Sequence, residues 1–178
     1  MDGEQNKSGE AEAYNQFPRK AMWFYIGVII FSALAGLLTD GVEVDPETGL
    51  GMSAVVILVS LLLGSLGVFA FAMIQYALIK IPTQWIAKDE EVYKNDIWAA
   101  LFYSNAIGML MSVLANQLGH GENVLLAAIN AVVITVLFLY FYFYGTNKPA
   151  HIKRAIIIVQ VLWMLLSLAF SAVAYQYL

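Results

Sequence analysis

Five stretches of this chain, approximately residues 21–39, 53–80, 97–118, 124–144 and 153–175, are apolar and carry charge only at their borders. Each is long enough, at about 1.5 Å per residue, to cross a hydrocarbon layer about 30 Å thick. Lipid supplies no hydrogen-bond partner for a peptide group, so a segment inside it must satisfy its own backbone as a helix. The expected fold is therefore all-α, a polytopic membrane protein with a bundle of five transmembrane helices over residues 21–178. A soluble domain would carry about a quarter of its residues as charges, whereas this chain carries 12 %. The second run exceeds the layer's thickness and should tilt, kink near Gly64 and Gly67, or pass the interface at Gln75 and Tyr76. Residues 1–16 are polar except for Tyr14, too poor in apolar surface to fold, and residues 1–20 are read as a disordered cytoplasmic tail.

The nine basic residues give the orientation. Lys7, Arg19 and Lys20 precede the first span, Lys80, Lys88 and Lys94 separate the second from the third, and Lys148, Lys153 and Arg154 separate the fourth from the fifth. Five crossings put all of them on one side, so the positive-inside rule predicts a cytoplasmic N-terminus and an outer C-terminus in a cell membrane. The other side has only acids: Asp40, Glu43, Asp45 and Glu47 in the first loop and Glu122 in the third. A secretory signal cleaved after Ser32-Ala33-Leu34-Ala35 is the competing reading, and the apolar run continuing through Gly36, Leu37 and Leu38 argues against it. Aromatic residues at the span ends, Trp23-Phe24-Tyr25, Tyr140 through Tyr144, and Tyr175 with Tyr177, read as interfacial anchors.

Among the loops, VEVDPETGLGM reads as an outer hairpin turning at Pro46, and its carboxylates lack the ligand spacing of an EF-hand. Inside, IPTQWIAKDEEVYKNDIW opens at Pro82, read as a helix end, and reads either as a short interfacial helix or as a simple linker. It would present Trp85, Ile86, Val92 and Tyr93 as an apolar face, the candidate surface for a partner.

The third span contains FYSNAIGMLMSVLANQ, with polar residues inside an otherwise apolar run. Asn105, Gly108, Ser112 and Asn116 recur at three- and four-residue intervals and share one helical face. Such a small, polar face lets two helices approach and hydrogen-bond in lipid, each bond contributing on the order of 0.5 to 2 kcal/mol. Ser32 with Gly36, Ser60 with Gly64, Ala127 with Ala131 and Ser167 with Ser171 repeat the small-residue spacing, and Asn130 and Gln160 are expected as partners of Asn105.

No chemistry of the common kinds is indicated. There is no cysteine, the thirteen Asp and Glu residues all lie in the tail or loops, and His120 and His151 sit at opposite ends of the bundle. Ion-coupled carriers usually hold an ionisable group near mid-membrane, and no nucleophile, zinc or nucleotide motif occurs. The expectation is a non-enzymatic protein with no cofactor and no metal, no basic face for nucleic acid, and as partners the bilayer and a membrane or cytoplasmic protein, a second copy of the chain included.

The lysine-bearing inner loop leading into DIWAALFYSNAIGMLMSVL, and VITVLFLYFYFYGTNKPAHIKRAIIIVQVLW with its aromatic-ended helix, basic turn and final span, resemble the Yip1-like integral membrane proteins over residues 53–175. The resemblance implies a five-span scaffold or adaptor, closer to the short prokaryotic members. The longer N-terminal region of eukaryotic members, with its aspartate, leucine and tyrosine motif, is absent, so GTPase binding is not implied. The rival expectation is a small transport or channel component using the polar stripe.

Overall fold

The computed structural model describes residues 16–40, 49–120, 123–144 and 147–177, and all regular structure among them is helical. The helices are α1 (Arg19–Asp40), α2 (Gly49–Ala87), α3 (Lys94–Gln117), α4 (Val124–Phe143) and α5 (Ala150–Tyr177). All five are long and apolar enough to cross a membrane, as their sequence runs required. The tail up to Asn15, most of the outer acidic loop and Glu122 lie outside the described residues. Residues 49–52, expected to close a hairpin, are instead the first turn of α2.

Burial is inside out relative to a soluble protein. Leu62, Leu63, Leu66, Phe71 and Phe170 are among many large apolar side chains left on the outside, where lipid rather than water solvates them. The interior holds two clusters that meet on α3. Ala21, Tyr25 and Val28 of α1 pack with Ala72 of α2 against Phe102 and Ala106. Ile79 of α2, Ile97 and Leu101 of α3, Phe138 and Tyr142 of α4 and Ile152, Ile156 and Val159 of α5 form the second, together with Val92. Rings join them: Tyr76 stacks on Trp98 with centroids 4.2 Å apart, and Trp98 and Tyr25 flank Phe102 at 5.2 and 5.5 Å. The aromatic span ends therefore divide. Trp23, Phe24, Tyr140 and Tyr144 are exposed, while Tyr25 and Tyr142 are core residues rather than interfacial anchors.

Pro82 does not end a helix. α2 runs through it for 39 residues, about 58 Å at 1.5 Å per residue. Proline lacks an N–H and would leave the carbonyl four residues back unpaired. That carbonyl, on Leu78, instead accepts a hydrogen bond from the Trp163 indole of α5 at 3.2 Å. One residue on, Thr83 Oγ1 adds a hydrogen bond to the Ile79 carbonyl at 2.7 Å. The interfacial helix or linker expected after Pro82 is thus the end of α2, which stops at Lys88, a residue with φ of 53°. The Asp89 N–H reaches back to the Gln84 carbonyl, the bond that closes a Schellman ending. α3 ends the same way on Gly119, whose φ of 74° favours glycine. Asn123 begins α4, its side chain accepting from the N–H groups of Leu125 and Leu126.

Candidate functional site

Two regions of the molecule gather polar side chains, one at the basic end of the bundle and one inside it. At the basic end, residues 88–96 and 147–151 are brought together with the end of α4. Lys148 is buried there, although it lies in a connector. Its ammonium pairs with Asp96 at 2.8 Å, donates to the Tyr142 carbonyl, and sits 4.5 Å and 5.2 Å from the ring centres of Tyr142 and Tyr93. Burial lowers its pKa from the ordinary lysine value, while the hydrogen bond and charge of Asp96 act in the opposite direction. The Tyr142 hydroxyl donates to the Val92 carbonyl at 3.0 Å, and His151 Nε2 lies 3.1 Å from Asp89 Oδ2. That contact, then the Glu91 N–H, holds the Asp89 carboxyl below its usual range.

This clasp revises the expected contact face. Val92 is buried beneath Tyr142, and Tyr93, with φ of 53° at the start of α3, is half-buried and shows only part of its side chain in the hollow described next. Trp85 and Ile86 offer a surface, at 77 % and 44 % exposure. Between the clasp and the end of α2 lies an open hollow of about 950 Å³, bordered by Lys80, Trp85, Lys88, Glu91, Lys94 and Asp96. Sequence reasoning counted Lys148 only as a topological charge. A connector residue has no periodicity to mark it as buried.

Inside the bundle the polar stripe of α3 is split between two sets of neighbours. Asn105 Nδ2 donates to Gln75 Oε1 at 2.7 Å, so its partner is neither Asn130 nor Gln160 but the residue expected at an interface. Asn130 Nδ2 instead reaches the Gly108 carbonyl at 3.3 Å and Ser112 Oγ at 3.1 Å. Gly108 is where a small residue is needed, because a Cβ there would overlap the Ile134 side chain of α4. At Gly36 and Gly64, by contrast, an added Cβ would meet nothing within 4 Å, so those small residues do not pack against another helix of this chain. Asn116 and Ser112 are exposed at the acidic end, and Ser171 Oγ bonds the Ser167 carbonyl within its own helix.

The Gln75–Asn105 pair stands between two hollows. One, of about 390 Å³, faces Tyr25, Ser32, Gly108 and Asn130. The other, of about 290 Å³, faces Ser104, Thr135, Phe138 and Gln160. Among the described residues, the side-chain atoms Ser32 Oγ, Asn130 Oδ1 and Gln160 Nε2 are buried without a hydrogen-bond partner. No described group of three or more His, Cys, Asp or Glu residues is arranged to hold a metal ion.

No known family model, no curated protein and no solved structure matches the chain. Of the likeness to Yip1-like proteins, the membrane-spanning bundle of five helices is the part that stands.

Proposed function

We propose that the chain is a non-catalytic integral membrane scaffold or adaptor, Yip1-like in plan, that acts through protein partners in membrane organisation or trafficking. The observation that carries this reading is the exposed Trp85 and Ile86 face at the end of α2. Tyr76 lies level with Trp98, one turn inside α3. Nine further residues of α2 carry Trp85 about 13 Å further along the helix, where it is 77 % exposed beside the hollow that the clasped loop borders. An exposed Trp-Ile pair rimmed by Lys88, Glu90 and Glu91 has the apolar centre and charged rim of a contact surface. Replacing both Trp85 and Ile86 by Ala should reduce recovery of co-purifying proteins at least tenfold while membrane insertion and melting temperature stay unchanged. Undiminished recovery would remove the surface from the proposal.

The reading places this end in the cytoplasm. Phe17 against Trp98, Asp96 with Lys148, and Asp89 with His151 bring the start of α1, the loop after α2 and the start of α5 to a common end. Seven of the eight described basic residues lie in or beside those segments, Lys80 of α2 borders the hollow next to them, and Lys7 is outside the described residues. With cysteines introduced singly into this cysteine-free chain, an impermeant thiol reagent on intact cells should label His120→Cys and spare Glu90→Cys. The reverse pattern would invert the orientation.

A small transport component is the second reading, supported by the two hollows on either side of the Gln75–Asn105 pair. Solute flux through the purified chain in proteoliposomes, lost in Asn105→Leu, would put it first.

A further inference from the structure

The hollow of about 290 Å³ lies in the middle of the helices, with α2, α3, α4 and α5 each contributing to its wall. Four of its polar side chains donate to other groups of the protein. Ser104 Oγ donates to the Leu101 carbonyl, Thr135 Oγ1 to the Ala131 carbonyl, Asn105 Nδ2 to Gln75, and the Trp163 indole to the Leu78 carbonyl. The Gln160 amide does not. The residue is 6 % exposed, it lines this hollow, and its Nε2 has no acceptor. An amide N–H left without an acceptor in an apolar interior is unfavourable, so an acceptor supplied from outside the chain would be favoured at that point.

The chemistry of the acceptor follows from the rest of the wall. Among the described residues no charged one lines the hollow, which disfavours an ion or an ionised headgroup. Leu78, Phe138, Trp163 and Met164 offer apolar surface for the body of a ligand. The lining residues Phe71 and Leu78 of α2 and Ser167 of α5 are exposed on the bundle's flank, so the hollow opens sideways towards lipid. Its volume is close to the lower end, about 300 Å³, of small-molecule sites.

We propose that this hollow is a binding site for an uncharged lipophilic molecule bearing a hydroxyl or carbonyl oxygen, entering from the bilayer between α2 and α5. The oxygen accepts from Gln160 Nε2 and the hydrocarbon part lies against Phe138 and Met164. The site does not depend on the partner-binding reading, and the Trp85 and Ile86 substitutions should leave it intact.

The test uses the full chain in lipid nanodiscs and a photoreactive pair: a long-chain alcohol carrying a diazirine and the matching diazirine alkane without the hydroxyl. After illumination, peptide mass spectrometry locates the labelled residues. The alcohol should label the wall around Phe138 and Met164 about tenfold more than the alkane, the ratio expected of one hydrogen bond made or lost. Gln160→Met keeps the shape and removes the donor, and should bring the alcohol down to the alkane's level. Ala131→Leu keeps the donor and fills the space, and should abolish labelling by both. Melting temperatures at or above that of the unsubstituted chain establish that both variants are folded. Equal labelling by the two probes, alcohol labelling unchanged in Gln160→Met, or no labelling of this wall at all would overturn the proposal, the last result leaving the hollow to water.

Discussion

Replacing Lys148 with Met should destabilise the bundle by about 2 to 4 kcal/mol, the scale of breaking one side of a buried ion pair, reduced because Asp96 keeps some exposure. The ammonium is fully buried, and its removal takes a cation from Asp96, a donor from the Tyr142 carbonyl and a charge from the faces of two rings. The loss should be read as a lower midpoint in denaturant or heat, in a detergent where the unsubstituted chain unfolds reversibly. The double variant Lys148→Met with Asp96→Leu should recover most of it, because both desolvated charges go together. A double variant as unstable as the sum of the two single ones would show that the pair is not coupled. The clasp also holds the loop that borders one hollow with Trp85, so the Lys148→Met chain should lose partner recovery together with stability.

The second large effect is expected at Gly108. Alanine normally favours a helix over glycine by about 1 kcal/mol, yet Gly108→Ala should destabilise this protein by about 1 to 3 kcal/mol, the cost of overpacking a close contact. The added methyl lands within the Ile134 side chain, 2.6 Å from its Cγ1. Separating α3 from α4 to relieve the overlap also stretches the two bonds made by Asn130 Nδ2. Ile134→Ala in the same chain should restore the midpoint, because it removes the colliding atoms. Gly64→Ala and Gly67→Ala meet open space and should be neutral or slightly stabilising. A Gly108→Ala midpoint that matches theirs would show that α3 and α4 do not approach as described.

These contrasts separate what was legible from what was not. The small-residue spacing on α3 falls on a close approach to Ile134 at Gly108, whereas at Gly36 and Gly64 the same spacing meets nothing of this chain within 4 Å of an added Cβ. Spacing states that residues share a face and leaves open what the face meets. Pro82 shows the same limit. Its missing N–H is a property of the residue, whereas the remedy, the Trp163 indole on the Leu78 carbonyl, comes from a residue 85 positions along the chain. Among the four residues expected to contact a partner, Trp85 and Ile86 are exposed while Val92 is buried. All four are apolar, so hydrophobicity could not separate them, and only the Tyr142 bond to the Val92 carbonyl shows why the loop folds inwards.

The sequence by itself determined the class of fold and the number of helices, because a peptide backbone in lipid has no partner but itself and each uncharged run must therefore be a helix. It also determined which connectors share a side, since every crossing reverses direction. The tertiary structure alone decided the pairings: Asn105 with Gln75, Lys148 with Asp96, and Gln160 with no acceptor beside a lateral hollow. Those depend on distances between helices that are joined only through packing, and packing is set by the fit of all five at once rather than by the period of any one.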